Sequence, residues 1–307
     1  MQKKTTESMH KRSHGLDLQD PATVASALLE GQTDAASCVH AASDAIVTAS
    51  RLAAAAIRNG GALAYTAAGS SGLMALSDAL ELPGTFGISR HQIKVLFAGG
   101  PPWLDTFRGG PEDDEDLALR DVEANALCAA DCMIAVSASG STPYATAALR
   151  EAGRIGAATI AIANNETCPL LEAADAPIFL PTPPELVAGS TRMGAGTAQK
   201  IALNLMSTLM AIELGHVVDG HMVNLTVDNA KLRNRAAGMI TALSGRSTDH
   251  ALACLDLTDG SVKPAILLAC GAADPGQAED LLQRNNGNVR SAMAALNQGL
   301  GSENRRA

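Results

Sequence analysis

The sequence predicts an α/β protein, a parallel sheet covered by helices on both faces in three layers. N-terminal helices precede the sheet and a helical lobe follows it. Two observations carry that reading. Five short, nearly continuous apolar runs alternate with helical sequence, the pattern of strands buried on both faces. Hydrophobic residues make up 47% of the 307 residues but aromatics only 2%, so the core is built from Ala, Leu, Val and Ile.

In chain order, the polar stretch 1–20 reads as irregular. Ala-rich sequence from Pro21 to about Asn59 reads as one long or two shorter helices, with Asp20 placed to cap them and "NGG" (59–61) to stop them. The strands are "ALAYTA" (62–67), "IKVLFA" (93–98), "CMIAVSA" (132–138), "ATIAIA" (158–163) and "APIFLP" (176–181). A long helix is expected over roughly 190–214, ending near Gly215, and small helices with turns at "LTDGS" and "NNGN" fill the rest. The expected division is 1–59, 60–230 and 231–307.

The net charge is −9 and the basic residues are scattered, which argues against nucleic acid or an anionic membrane as partner. Any bound anion must be held locally. Six dispersed cysteines, mostly in apolar context and with no C-x-x-C, read as reduced core residues rather than a zinc set. The polar N-terminus has no apolar leader core and no long uncharged apolar run follows, so a cytoplasmic protein is expected.

The loops after the strands carry the chemistry. "AAGSSG" (67–72) follows the first strand and "SASGSTPY" (137–144) the third, each leading into a helix. One Gly/Ser loop is usually an ordinary tight turn. Two at alternating strand ends point instead to an anion site built from hydroxyls and backbone N–H groups at helix N-termini. Gly69, Ser70, Ser71 and Gly72 would serve from the first loop, and Ser137, Ser139, Gly140, Ser141 and Thr142 from the second. No G-K-[ST] follows, and no G-x-G-x-x-G is present, so neither a Walker loop nor a dinucleotide fingerprint fits. A sugar phosphate is the expected ligand.

Several segments resemble the N-acetylmuramic acid 6-phosphate etherase branch of the sugar isomerase domain fold. "TESMHKRSHGLD" (6–17) is similar to its T-E-x-x-N-x-x-S-x-x-[IL]-D opening, with His10 in place of Asn. "AAGSSGLMALSDALELPGTFG" (67–87), "FAGG" (97–100), "GGPEDDED" (109–116), "SASGSTPY", "ELVAGSTRMGAGTAQKIALNLMST" (185–208) and "HMVNLTVDNAKLRNR" (221–235) follow in the family's order. The resemblance implies a carbon–oxygen lyase that cleaves the lactyl ether without cofactor or metal, and a homodimer. It puts Glu81 and Glu112 at the two catalytic glutamate positions, one held protonated while the other acts as base. Glu185, Ser190, Arg192 and Lys200 fall in its substrate-binding segment. Besides His10, three positions depart from the pattern: Leu73 stands for an Arg, Gly194 for a Lys and Gly84 for a Pro. Two alternatives stay open at this point. One is a non-catalytic sugar-phosphate regulator of the same fold. The other is an aldose–ketose isomerase using Glu185 as base.

Overall fold

A computed structural model describes residues 5–100, 110–227 and 229–303. The N-terminal arm is less irregular than its sequence suggests, with 3-10 turns at Thr5–Glu7 and Leu16–Leu18. Helix α1 (Pro21–Cys38) starts as expected: Asp20 accepts hydrogen bonds from the N–H groups of Ala22 and Thr23, both 3.1 Å, and Pro21 opens the first turn. A short 3-10 turn, Val39–Ala42, separates it from α2 (Ser43–Arg58).

All five strands form: β1 (Leu63–Ala67), β2 (Ile93–Phe97), β3 (Cys132–Ser137), β4 (Ala158–Ala163) and β5 (Ala176–Phe179). They pair in parallel in the order β2-β1-β3-β4-β5. The intervening helices are α3 (Gly69–Phe86), α4 (Glu115–Ala124), α5 (Pro143–Ile155) and the single turn α6 (Pro169–Glu172). Helices α4 and α5 pack on one face through Ala118, Val122, Ala145, Ala148 and Leu149, against Met133, Ala135 and Ala161 of the sheet. Helix α2 packs against β4 and β5. Burying side chains this small requires close backbone approach. A Cβ on Gly72 would fall 2.1 Å from the Phe97 ring, so only glycine fits there.

Helix α7 (Gly194–Glu213) begins later than the sequence pattern suggests, because Thr182–Met193 runs as loop and turn. It is tied to the sheet through a buried carboxylate. Asp78 of α3, 3% exposed, accepts hydrogen bonds from Tyr65 Oη of β1 (2.8 Å) and from Asn204 Nδ2 (2.8 Å) and Ser207 Oγ (2.9 Å) of α7. Burial, and then the charge of Asp78, push the Tyr65 phenol well above its ordinary pKa.

Two compact units result. One takes the chain up to Leu80 with Ser89–Leu209; the other takes Glu81–Ile88 with the chain from Met210 on. Two of the three crossings, after Leu80 and after Leu209, fall inside long helices, α3 and α7. The second unit holds the hairpin β6 (Val217–Val218) and β7 (His221–Met222), turning on Asp219 and Gly220, both at positive φ. Helices α8 (Ala230–Ser244), α9 (Thr248–Leu257), α10 (Val262–Ala269), α11 (Pro275–Arg284) and α12 (Val289–Glu303) follow around their own core of Ile240, Leu255, Ile266 and Leu267. The expected turns sit at Asp259–Gly260 and Asn286–Gly287, all four residues left-handed. Within this unit His216 and Lys263 are largely buried. Burial, reinforced by the Lys263 charge, takes His216 down to about 4, and burial takes Lys263 down to about 8.

Candidate active site

In a parallel sheet of this order the chain reverses its winding between β1 and β3, and a crevice opens beyond their carboxyl ends. The two Ser/Gly loops are the ones that leave β1 and β3. They flank a cavity of about 470 Å³ lined by Gly69, Ser70, Ser71, Ser137, Ser139, Ser141 and Thr142, together with Glu7, Glu112, Asp113, Gly189 and Thr191. No Lys or Arg lines it among the described residues.

Each loop presents a helix N-terminus. In α3 the first hydrogen bond of the helix ladder is donated by Gly72 to Ala68 O, 3.0 Å. The amides of Gly69, Ser70 and Ser71 therefore precede the ladder at the positive end of the helix. In α5 the N-cap residue Thr142 makes no capping bond with its side chain, and Pro143 follows with no N–H to satisfy. Its hydroxyl instead joins Ser137 Oγ at 2.7 Å. Ser137 also accepts from the Gly140 amide (3.1 Å), and Ser139 Oγ accepts from Ser141 Oγ and from the Ser141 amide, both 3.2 Å. These hydroxyls hold one another in place. An entering oxyanion can draw on them by taking hydrogens they now share with one another, alongside the amides at the helix N-termini.

Gly140 serves the loop from behind. Its φ is +66°, and a Cβ there would sit 2.2 Å from Cys168 Sγ. Gly72 likewise packs behind the cavity, against Phe97. Glu112 lies on the 3-10 turn Gly110–Asp113 and reaches back over α3: its Oε2 is 4.0 Å from where a Cβ on Gly69 would be. Gly109, in the segment quoted for Glu112, and Asp228 fall outside the described residues.

The other sequence candidates are not among the residues that line this cavity. Ser190 sits between the lining residues Gly189 and Thr191, while Arg192 and Lys200 are exposed. Glu81 is exposed on the last turns of α3, in the second unit. Glu185 is buried, and its two oxygens accept from the first amides of α7, Gly194 N (3.1 Å) and Ala195 N (2.9 Å). It caps a helix. Beside it lies a void of about 20 Å³, a single water's worth, lined also by His10 and Gly194. Two of the positions that depart from the family pattern, His10 and Gly194, thus meet at one place. A Cβ on Gly194 would stand 3.3 Å from Glu185 Oε2 and 3.1 Å from Ala35 Cβ. Another departing position, Leu73, is partly exposed on α3 and lines neither cavity.

Sequence reasoning missed Glu7, Asp113 and Thr191 as cavity residues. All three were quoted within motifs, yet nothing local to Glu7 indicated that the arm returns to the sheet edge.

A parallel sheet with a hydroxyl-lined cavity at its switch point defines an α/β protein with a small-molecule site at its strand ends. Residues 32–164 match the SIS domain family. A phosphoheptose isomerase structure from Francisella tularensis, 18% identical, aligns with a TM-score of 0.51 over 63% of this chain and 100% of its own, a likeness of fold alone. The sequence relatives are closer. N-acetylmuramic acid 6-phosphate etherase from Deinococcus radiodurans is 38% identical over 288 residues, 94% of each chain. Those from Streptomyces coelicolor and Bacillus subtilis are both 40% identical, over 92% and 77% of this chain and 86% and 78% of theirs. The chain belongs to the N-acetylmuramic acid 6-phosphate etherase family.

Proposed function

We propose that the protein cleaves the D-lactyl ether of N-acetylmuramic acid 6-phosphate, releasing D-lactate and N-acetylglucosamine 6-phosphate. One observation carries the reading: the hydroxyl cavity at the β1/β3 switch point has a catalytic-position glutamate, Glu112, on its wall. In this reading the 6-phosphate lies against Ser70, Ser71, Ser139, Ser141 and Thr142, under the N-termini of α3 and α5. That leaves the sugar carbons toward Glu112. In the open-chain sugar the C1 aldehyde acidifies the C2 proton. A base removes that proton, the C3–O bond breaks, and lactate departs with a proton from an acid. Water then adds to C3 of the unsaturated aldehyde, so the whole sequence consumes one water. Glu112, on the cavity wall, takes one of the two proton-transfer roles, and the family resemblance assigns the other to Glu81.

The isomerase alternative loses its base, because Glu185 is engaged with the first turn of α7. The Lys-to-Gly change at 194 falls beside that same carboxylate rather than among the cavity residues, which fits retention of the phosphate site. No helix of the described residues is long and apolar enough to cross a membrane. We place the reaction in the cytoplasm and, by family resemblance, in a homodimer.

The test is D-lactate release by purified protein, with Glu112→Gln and Glu81→Gln alongside. The expected result is release by the wild type and a loss of about a hundredfold or more in kcat for each variant. Full activity of Glu112→Gln, or no release by the wild type with substrate bound, contradicts the proposal.

A further inference from the structure

We propose that Glu7 is a substrate-binding residue. Its carboxylate accepts hydrogen bonds from the uncharged, hydroxyl- and amide-bearing part of the sugar, and Asn165 is the positioning residue that holds it at the cavity. The inference rests on reading the cavity as a sugar-phosphate site.

Glu7 ends the turn Thr5–Glu7 and lines the same cavity as Ser70, Ser139, Thr142 and Glu112, although it comes from a distant part of the chain. What brings it there is a buried clasp. Asn165, 5% exposed in the loop after β4, accepts from the amides of Thr5 (2.8 Å) and Thr6 (3.5 Å). Its amide nitrogen donates to Thr6 Oγ1 (3.0 Å) and to Ser139 O (3.1 Å). One side chain thus joins the arm to the serine loop, and Thr6 itself is only 4% exposed. Buried and doubly satisfied on both its oxygen and its nitrogen, the clasp holds the backbone one residue from Glu7. A second anchor lies farther along, where Ser13 Oγ donates to Leu186 O at 2.8 Å.

Charge decides which part of the ligand Glu7 meets. A phosphate monoester carries nearly two negative charges. With no lysine or arginine lining the cavity among the described residues, a carboxylate cannot face it. Glu7 accepts hydrogen bonds only, so it pairs with hydroxyl or amide N–H groups. The cavity then sorts its ligand, with hydroxyl donors for the phosphate and carboxylate acceptors for the sugar.

The experiment titrates wild type, Glu7→Ala, Glu7→Gln and Asn165→Ala with N-acetylglucosamine 6-phosphate and, separately, with inorganic phosphate. Expected is a loss of about tenfold in sugar-phosphate affinity for Glu7→Ala, a smaller loss for Glu7→Gln, and unchanged affinity for inorganic phosphate. Asn165→Ala also weakens sugar-phosphate binding, and its effect shrinks in the Glu7→Ala background, because Asn165 acts in part through Glu7; the remainder, through its bond to Ser139 O, weakens inorganic phosphate as well. Glu7→Ala that binds both ligands like wild type, or loses both equally, overturns the proposal. A wild type that binds neither ligand overturns the sugar-phosphate reading, and the role of Glu7 with it. A wild type that shows the Glu7-dependent selectivity yet releases no lactate contradicts the etherase reaction and leaves the role of Glu7 standing.

Discussion

Two polar regions of the α/β unit contrast sharply. Glu185 and Asp78 are both engaged by the fold: the first caps α7, and the second ties β1, α3 and α7 together. Around Ser70 and Ser139, hydroxyls and helix N-termini surround open space of several hundred Å³. A buried carboxylate must be satisfied internally or it costs several kcal/mol. A cavity of hydroxyls remains hydrated until a ligand replaces the water. The lesson is that acidic residues near a strand end are not equivalent: their partners decide whether they serve stability or chemistry.

Substitutions sharpen that contrast. The largest effect on the engaged side is expected from Asp78→Ala, which leaves Tyr65, Asn204 and Ser207 without their shared acceptor. It is expected to lower unfolding free energy by about 3 kcal/mol, read from urea melts. Glu185→Ala removes the α7 cap and costs about 1–2 kcal/mol, while phosphate affinity stays within about twofold. A large loss of phosphate affinity without loss of stability would move Glu185 to the other side of the comparison. Ser139→Ala is the mirror case, with stability unchanged and phosphate affinity reduced about fivefold.

A separate effect is a pH dependence in the second unit. His216 titrates near 4 when folded and near 6.5 when unfolded, so below 6.5 the unfolded chain binds the extra proton. Stability then falls as pH drops from 6.5 toward 4, by at most about 1.4 kcal/mol per pH unit. Lys263, at about 8, acts in the same sense at higher pH: stability rises between pH 8 and 10.5. His216→Gln is expected to flatten the acid limb of urea midpoints measured against pH. An unchanged limb would place its origin in other groups.

Much of this was legible in the sequence because it is local. Apolar runs alternating with loops and helical sequence mark all five strands, and Ser/Gly loops entering helices mark the cavity. Asp20 and Pro21 mark the start of α1. Illegible were the features made by distant partners. Strand order depends on pairings such as Leu63 with both Ile93 and Cys132, which periodicity does not encode. The arm looked irregular because its fastening, Asn165, lies 160 residues beyond Thr5. Glu185 read as a free carboxylate because its partners are backbone amides, which have no letter in the sequence.

The most direct test of the central claim compares D-lactate release from N-acetylmuramic acid 6-phosphate with release from the unphosphorylated sugar. If the hydroxyl cavity holds the phosphate and so presents the ether to Glu112, release occurs with the phosphorylated compound and falls by at least about a hundredfold without the phosphate. Equal turnover of the two, or turnover of neither, would contradict the account.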